Sequence, residues 1–457
     1  MRRRGRTGID DNKMLALFKT KTFAHGVHPP EHKEITSGRE IRRLPFSPRM
    51  TIPLAQHIGK PALPIVRPGQ EVVRGEPIAK ADGFMSVPMH APATGIVESI
   101  QLMPTARGVK TQSIVLRVYP GDSQNVMYGS PCDVDALTRD EIVTAVQETG
   151  MVGLGGAGFP THAKLKVPAE SRIDTLLVNG CECEPYLTTD HRLMVEWVDD
   201  LLRGIKLALK AIGTDRAVIG IEDNKPDAAE ALRAHIAQAG MGNVDVELVP
   251  TKYPQGAEKL LIKVLLDREV PSGGLPHQVG VVVQNIATLA LLGRLVPNRQ
   301  GLIERVVTIT GAAQRPGNYL VPLGTPLRTV LEYAGFHGDA TEVVLGGPMM
   351  GAAVASLDVP VTKPVSGVLL LDRELMTTPR KTYACISCGR CLDACPLHLN
   401  PSRLGLLAAK REYATMAEKF HLNDCFECGS CTYVCPASIP LVQYFRIAKA
   451  MNRERAA

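Results

Sequence analysis

The chain reads as a multidomain α/β and α+β protein, and the pattern of its 457 residues says so in three places. Between Thr51 and Val118 short apolar runs are broken by turn residues at regular intervals, the mark of a small β-barrel or sandwich. From Asp133 to Leu266 strand-like and helix-like runs alternate, which argues an α/β domain on a largely parallel sheet. Near the C-terminus the runs Cys385 to Pro396 and Cys425 to Pro436 repeat one cysteine spacing.

Length allows roughly three domains at about 150 residues each. Apolar residues make up 45% of the chain, ordinary for a globular protein. Aromatic residues are only 4%, with the single tryptophan Trp197, so stacking platforms for nucleic acid are not expected. The net charge of +6 is modest and dispersed, apart from Arg2-Arg3-Arg4-Gly5-Arg6. No apolar stretch follows that run, so it does not read as a signal peptide, and residues 1–20 are expected to be a solvated tail rather than a docking arm. No stretch reaches the ~20 apolar residues that span a bilayer. The longest candidate, Ile286 to Val296, is shorter and contains Arg294. A reduced, cytosolic chain without a transmembrane segment is the expectation.

Taken in order, residues 21–130 hold the barrel-sandwich β-domain. Its halves, P-G-Q-E-V-V-R-G-E-P-I-A and A-P-A-T-G-I-V-E-S-I, resemble those of the lipoyl and biotinyl carriers. Phe84 stands about where a carrier presents its lysine, and no lysine lies between Lys80 and Lys110, so a structural or docking role is expected. Residues 131–300 are expected to form the α/β domain. It has an entry helix from Asp133 to Gly150 carrying a capping box at Thr138 and Glu141. Strands are expected at Thr175–Asn179, Ala217–Ile221 and Val244–Val249, with helices at His191–Ile212, Pro226–Ala239 and Gly256–Leu266. Residues 301–371 suggest a compact β-grasp-like module with a helix from Leu327 to Ala334. Residues 372–457 form an α-helical cysteine-rich domain, with a helix from Pro401 to Phe420 between the two cysteine runs.

Each cysteine run is C-x2-C-x2-C-x3-C-P, the spacing that holds [4Fe–4S] clusters in two-cluster ferredoxins. Three thiolates so close in sequence face one cube only if the backbone coils tightly, which suits Gly389 and Gly429 in matching slots. In this arrangement the fourth cysteine serves the other cluster. Cys385, Cys388, Cys391 and Cys435 are therefore one ligand set, and Cys425, Cys428, Cys431 and Cys395 the other. Structural zinc uses separated CxxC pairs, and disulfides need an oxidising compartment. Two [4Fe–4S] clusters fit better, and the rest of the chain must then supply or accept single electrons.

After the entry helix comes G-L-G-G-A-G-F-P-T-H-A-K, Gly153 to Lys164. A glycine-rich loop lets backbone N–H groups approach a phosphate, and a lysine adds charge. The spacing fits neither the Rossmann nor the Walker loop. On its own the loop is also readable as a ligand-free turn, though the phosphate reading is favoured. Together with Asn179-Gly-Cys-Glu182-Cys-Glu184-Pro185, Tyr253-Pro-Gln-Gly256-Ala-Glu258 and Val283-Gln-Asn285-Ile-Ala-Thr288, it resembles the NADH- and FMN-binding flavoprotein subunit of respiratory complex I. With His25 to Glu31 (H-G-V-H-P-P-E), the barrel, E-D-N-K-P and the doubled cysteine run, residues ~20 to 450 resemble the C subunits of Rnf ion-translocating ferredoxin:NAD oxidoreductases.

That resemblance implies a peripheral NADH/FMN/iron–sulfur subunit on the cytoplasmic side of a bacterial inner membrane, with NAD(H), FMN and two [4Fe–4S] clusters as cofactors. Its implied partners are integral membrane and ferredoxin-like subunits of the same complex, with ferredoxin reached indirectly. Gly153, Gly155, Gly156 and Lys164 would hold the FMN phosphate, and Asn179, Glu182, Asn285 and Thr288 the rest of the flavin. Gly256 and Glu258 stand in the same cofactor segment, Phe159 and Glu184 would meet the nicotinamide nucleotide, and Lys225 would lie at the nucleotide side. No catalytic acid or base is named. Leu154, Ala257 and Gln284 depart from the complex I pattern, which leaves individual contacts open. Cys181 and Cys183 read as buried thiols, and Cys132 as a bystander. Two other readings stay open: a soluble flavin reductase like the cobalamin reductases, and an electron-wire or scaffold subunit without nicotinamide chemistry.

Overall fold

The computed structural model describes residues 21–106, 108–121, 124–168, 170–336, 342–372 and 381–456; the tail at 1–20 with its arginine run lies outside them. After β1 (Ile41–Arg43), which serves another module, the barrel-sandwich is built from two antiparallel sheets. In the first, β2 (Arg49–Pro53), β4 (Glu71–Val72), β7 (Gly95–Pro104) and β8 (Lys110–Val118) lie in the order β2-β8-β7-β4. The second is β3 (Leu63–Pro64), β5 (Pro77–Lys80) and β6 (Met89–His90). Met50, Ile52, Val72, Val97, Ile114 and Leu116 fill the space between. Phe84, where a carrier lysine would stand, is docked: its carbonyl is 2.7 Å from His162 Nε2 and the two rings meet edge to face.

The α/β domain has a parallel sheet of β9 (Thr175–Gly180), β10 (Ala217–Glu222), β11 (Val244–Val249) and β12 (Val281–Asn285), in the order β11-β10-β9-β12. The entry helix is shorter than its sequence pattern, Arg139–Glu148, and carries the capping box of Thr138 and Glu141. The helix expected over His191–Ile212 is two helices, Thr189–Glu196 and Val198–Ile212. Trp197 leaves the helical region between them, and the Arg294 guanidinium sits 4.0 Å from its ring centroid.

The apolar run at Ile286 is a buried core helix, Ile286–Leu295. It crosses the helix Val198–Ile212 with backbones touching. A Cβ on Gly204 would lie 1.9 Å from the Leu289 carbonyl oxygen, and one on Gly293 1.9 Å from that of Asp200. Among the described residues no helix is long and apolar enough to cross a membrane.

The β-grasp-like module holds β13 (Glu304–Gly311), β14 (Gly317–Pro322), β15 (Glu342–Leu345), β16 (Ala352–Ala353) and β17 (Gly367–Leu371), with the helix Leu327–Tyr333. Its sheet runs β1-β14-β13-β17-β15-β16, so Ile41–Arg43, expected within the barrel, is an edge strand here, parallel to β14. In the cysteine-rich lobe the helix expected over Pro401–Phe420 is broken into Pro401–Ala409 and Tyr413–Phe420. Arg411 takes a φ of 59°, and the Arg411 and Glu412 amides donate back to the Ala408 and Leu407 carbonyls, closing the first helix.

Candidate functional site

Strand order reverses at β9, with β10 and β11 on one side and β12 on the other, and ligands of open α/β sheets bind at such a point beyond the C-terminal strand ends. What the chain places there is Cys181 to Glu184 after β9, Asp223 to Lys225 after β10, and Asn285 closing β12. Asn285 caps the helix Ile286–Leu295: its Oδ1 accepts from Thr288 N at 3.3 Å, while its Nδ2 donates to Asp190 Oδ2 at 2.6 Å. Thr288 Oγ1 in turn accepts from Leu154 N at 2.9 Å. The glycine-rich loop is thereby tied to a helix N-terminus, where backbone N–H groups and the helix dipole favour an anion.

The loop is shaped for close approach. A Cβ on Gly155 would lie 3.3 Å from the Asn285 Cβ, and Gly156 has a φ of 103° with no atom within 4 Å of a Cβ position. Gly155 to Ala157 are exposed, so this backbone presents an open cradle beside the capped helix. Those features fit a phosphate-bearing cofactor.

The other predicted residues surround this edge. Lys164 pairs with Glu258, the first residue of the helix Glu258–Leu266. Asn179 Nδ2 donates to the Gly256 carbonyl at 2.8 Å, while its Oδ1 accepts from Cys181 N. Glu182 is buried and caps the helix Thr189–Glu196, taking bonds from the Thr189 hydroxyl and the Asp190 and His191 amides. Glu184 accepts from Met349 N at 3.1 Å and Met350 N at 2.8 Å, and burial raises its carboxyl to about 7. Phe159 is half-buried beside the cradle. Lys225, just past β10, is fully buried, donating to Glu222 at 2.8 Å and Asn224 at 2.7 Å.

The sequence pattern did not single out Lys33, Asp190 or Arg305. Lys33 is buried and donates to the Glu184 and Leu187 carbonyls, with burial lowering its pKa. Asp190 is raised to about 7 by burial and by the nearby Glu182, and Arg305 is lowered to about 10 by burial. The H-G-V-H-P-P-E motif just before Lys33 proves to be a strap. Val27 forms a bridge with Tyr253, the Glu31 carbonyl accepts from Tyr186 N, and Glu31 Oε2 accepts from Asn224. Cys181 is a buried thiol whose pKa is raised by burial, as is that of the half-buried Cys183. Cys132 Sγ donates to the Val296 carbonyl at 3.4 Å.

The cysteine runs coil alike. Positive φ recurs in matching slots: Ser387 and Glu427 at 54° and 64°, Gly389 and Gly429 at 79° and 87°, His398 and Ser438 at 53° and 52°. Burial raises the Cys391 thiol, and the charges acting on it are those of Cys388, Cys435 and Cys385. Cys431 is also raised by burial, and by Cys428, Cys425 and Cys395 ahead of Cys391. The fold thus brings each fourth cysteine to the opposite run. Among the described residues no three His, Cys, Asp or Glu side chains converge as around one ion. A four-iron cube takes its thiolates at separate corners, so such convergence is not required. The lobe meets the sheet edge directly, because Tyr253 Oη donates to the Cys428 carbonyl at 2.6 Å and Met349 backs onto Gly429.

Comparison with known proteins gives four family matches: the RnfC barrel sandwich hybrid domain over residues 21–119, the Nuo51 FMN-binding domain over 146–294, the SLBB domain over 306–353 and the 4Fe-4S dicluster domain over 384–439. The C subunit of the proton-translocating ferredoxin:NAD(+) oxidoreductase complex of Clostridium ljungdahlii is 42% identical, over 95% of this chain and 94% of its own length. The C subunit of the ion-translocating oxidoreductase complex of Haemophilus influenzae strain 86-028NP is 40% identical over 94% of this chain, which spans only 64% of that relative. A chain of the NAD+-reducing [NiFe]-hydrogenase in its air-oxidized state has a TM-score of 0.50 at 20% identity, over 72% of this chain and 69% of that one. The H2-reduced state gives 0.51 at 19%. At that identity the likeness speaks for fold alone.

Proposed function

The chain belongs to the C subunits of ion-translocating ferredoxin:NAD(+) oxidoreductase complexes, and from that premise we propose that it carries electrons between its two cluster sites and NAD(H), with FMN on the glycine loop. The observation that carries this reading is the contact of Tyr253, in the turn that leads to Gly256 and Glu258, with Cys428 of the dicluster lobe. FMN, when bound, supplies the exchange between the two-electron chemistry of a nicotinamide and the one-electron chemistry of iron–sulfur clusters.

The protein's own groups do the holding. Backbone N–H groups of Gly155 and Gly156, the N-terminus of the helix Ile286–Leu295 and Lys164 receive the phosphate, while Gly153, expected among the phosphate donors, instead closes the loop by donating its N–H to the Phe159 carbonyl at 2.8 Å. Glu258 keeps the Lys164 ammonium at that edge. Asn179, Glu182, Gly256, Asn285 and Thr288 fix the walls of the flavin site through the bonds described above. Lys225 acts from below by neutralising buried Glu222 rather than by touching nucleotide. Phe159 offers a stacking face to the nicotinamide nucleotide, and Glu184 has lone pairs left for ribose hydroxyls. The eight cysteines of the two runs ligate the clusters in the crossed sets. The domain limits 21–130, 131–300, 301–371 and 372–457 are part of the same proposal. So is a peripheral position on the cytoplasmic side, with integral membrane and ferredoxin-like subunits as partners.

The test is anaerobic addition of NADH to the cluster-replete chain supplied with FMN, followed by absorbance and EPR. Flavin bleaching with a reduced-cluster signal is the expected result. Bound FMN that NADH does not bleach would sink the nicotinamide assignment.

A further inference from the structure

Between the glycine loop and a buried carboxyl stands one residue, Asn285. Its Nδ2 donates to Asp190 Oδ2 at 2.6 Å, and a Cβ on Gly155 would lie 3.3 Å from the Asn285 Cβ. Asp190 lies in the first turn of the helix Thr189–Glu196 beside a second buried carboxyl, Glu182, and the two are served unequally. Glu182 takes the Thr189 hydroxyl and the Asp190 and His191 amides, so it uses the donors of that helix N-terminus. Asp190 is left with the Asn285 amide. Where neighbouring carboxyls differ in this way, the poorly served one is where a proton settles.

The charged groups that face Asp190 are Glu182, Lys225 after β10 and Arg305 on β13, with the Cys181 thiol close by. On its own helix His191 turns to Asp227 and Arg192 to Glu196. Lys225 is bound to Glu222, and Arg305 spends Nε and Nη1 on the Val306 and Lys363 carbonyls, so both act on Asp190 through charge alone. Burial, with Glu182 adding to it, outweighs them and raises the carboxyl to about 7.

We propose that Asp190 is the proton-holding residue of the flavin site, taking one proton from water as two electrons arrive at the cradle and returning it as they leave for the clusters. This rests on the FMN reading above and adds to it the residue that balances charge there. NADH delivers a hydride, two electrons with one proton, which brings one negative charge to a partly buried edge. A proton on Asp190 cancels that charge, which is costly to leave uncompensated away from water. The clusters then take the electrons singly and no proton, so the hydride's proton and that of Asp190 both return to water. Over the whole exchange NADH and two oxidised clusters give NAD+, one proton and two reduced clusters. Asp190 touches no reacting atom; it acts through Asn285 as a positioning residue.

The experiment measures the midpoint potential of the bound flavin against pH in the full FMN-loaded chain, poised with dithionite so that NADH plays no part. Each further proton taken up per two electrons steepens the slope by about 30 mV per pH unit, a tenfold change in the two-electron constant. Between pH 7 and 9 the wild-type slope is expected to exceed that of Asp190→Asn by this amount. Toward pH 6, where Asp190 already holds its proton, the two slopes should converge. Asp190→Glu should restore the steeper slope, whereas loss of a merely structural residue would shift the potential without changing its slope. A second measurement needs neither variant nor cofactor: NMR of the cofactor-free chain with carbon-13 in its aspartate carboxyls. One aspartate is expected to titrate near pH 7. Aspartate labelling leaves Glu184 silent, and among the described residues Asp190 is the aspartate raised toward neutrality. Equal slopes in wild type and Asp190→Asn overturn the proposal and leave the FMN reading standing. So does the lack of any aspartate titrating near neutrality. A chain that binds no FMN sinks the FMN reading and the proposal together, and bound FMN that NADH does not bleach sinks the nicotinamide assignment alone.

Discussion

The Tyr253 hydroxyl donates a 2.6 Å hydrogen bond to the carbonyl of Cys428, joining the Y-P-Q-G turn of the α/β domain to the second cysteine run. Burial holds the phenol far above its ordinary pKa, so it remains a donor at any working pH. Tyr253→Phe keeps the ring and removes the bond. A loss of about 0.5–1.5 kcal/mol of stability is expected. The positive end of the O–H dipole favours the reduced, more negative cluster, so its removal should move that cluster to a more negative potential. EPR-monitored redox titration of wild type and variant checks this; two identical potentials would contradict it.

Glu184 locks the Gly346–Gly351 turn, since each of its oxygens takes one backbone N–H, from Met349 and Met350. Its carboxyl is raised to about 7 from 4.5, chiefly by burial. The folded state therefore binds more protons than the unfolded chain between those values. This contribution is fully present below pH 4.5 and is lost as pH rises through 7, with a limiting slope of about 1.4 kcal/mol per pH unit. Glu184→Gln should abolish that slope. It also turns an NH2 group toward one of the two donors, at a cost of about 1–3 kcal/mol. Thermal unfolding from pH 5 to 8, with hydrogen exchange at Met349 and Met350, separates the two effects.

Much of this was legible in the sequence because the decisive signals are local. The cysteine runs, the capping box at Thr138 and the strands at Thr175, Ala217 and Val244 are each defined by near neighbours, and each stands where its pattern put it. Helix breaks at Trp197 and Arg411 were not legible, since apolar periodicity runs through both while backbone geometry at one residue decides the break. Nor was the strand Ile41–Arg43, whose partner Asn318–Leu320 lies far along the chain. At the site, the glycine loop stood out by residue type, and Asn285 only through the resemblance of its segment to the complex I flavoprotein. Lys33, Asp190 and Arg305 did not, because a buried ion acquires meaning only from what surrounds it.

Gly204 and Gly293 set the approach of the helices Val198–Ile212 and Ile286–Leu295, and through the second helix the position of Asn285 under the glycine loop. A methyl at either glycine would fall 1.9 Å from a backbone oxygen of the facing helix, and no side-chain movement relieves that. Gly204→Ala should cost about 1–3 kcal/mol. It should also weaken FMN retention, since parting the helices shifts the cap. A melting temperature unchanged from wild type would show that the helices separate freely.

Behind the glycine loop, three modules meet on one buried ammonium. Lys363 Nζ donates to the Pro88 carbonyl at 3.0 Å and the Gly150 carbonyl at 2.7 Å, and burial lowers it to about 7. His90 is buried nearby with Nδ1 unpartnered, and burial followed by the charge of Lys363 depresses it to about 3. In both groups the folded state disfavours the charged form, so the unfolded chain binds more protons. Stability from His90 is therefore fully present above pH 6.5 and is lost as pH falls toward 3, by up to about 1.4 kcal/mol per pH unit. The Lys363 window is separate, between 10.5 and 7. The plane of the His90 ring lies over Gly301, where a Cβ would come within 2.1 Å of it, so a flat ring must be kept. His90→Phe keeps that ring and removes the titration. The variant should unfold within about 1 kcal/mol of wild type at pH 8 and lose less stability than wild type between pH 6 and 4. Parallel stability curves for the two proteins over that acid range would show that His90 does not carry the acid sensitivity of the junction.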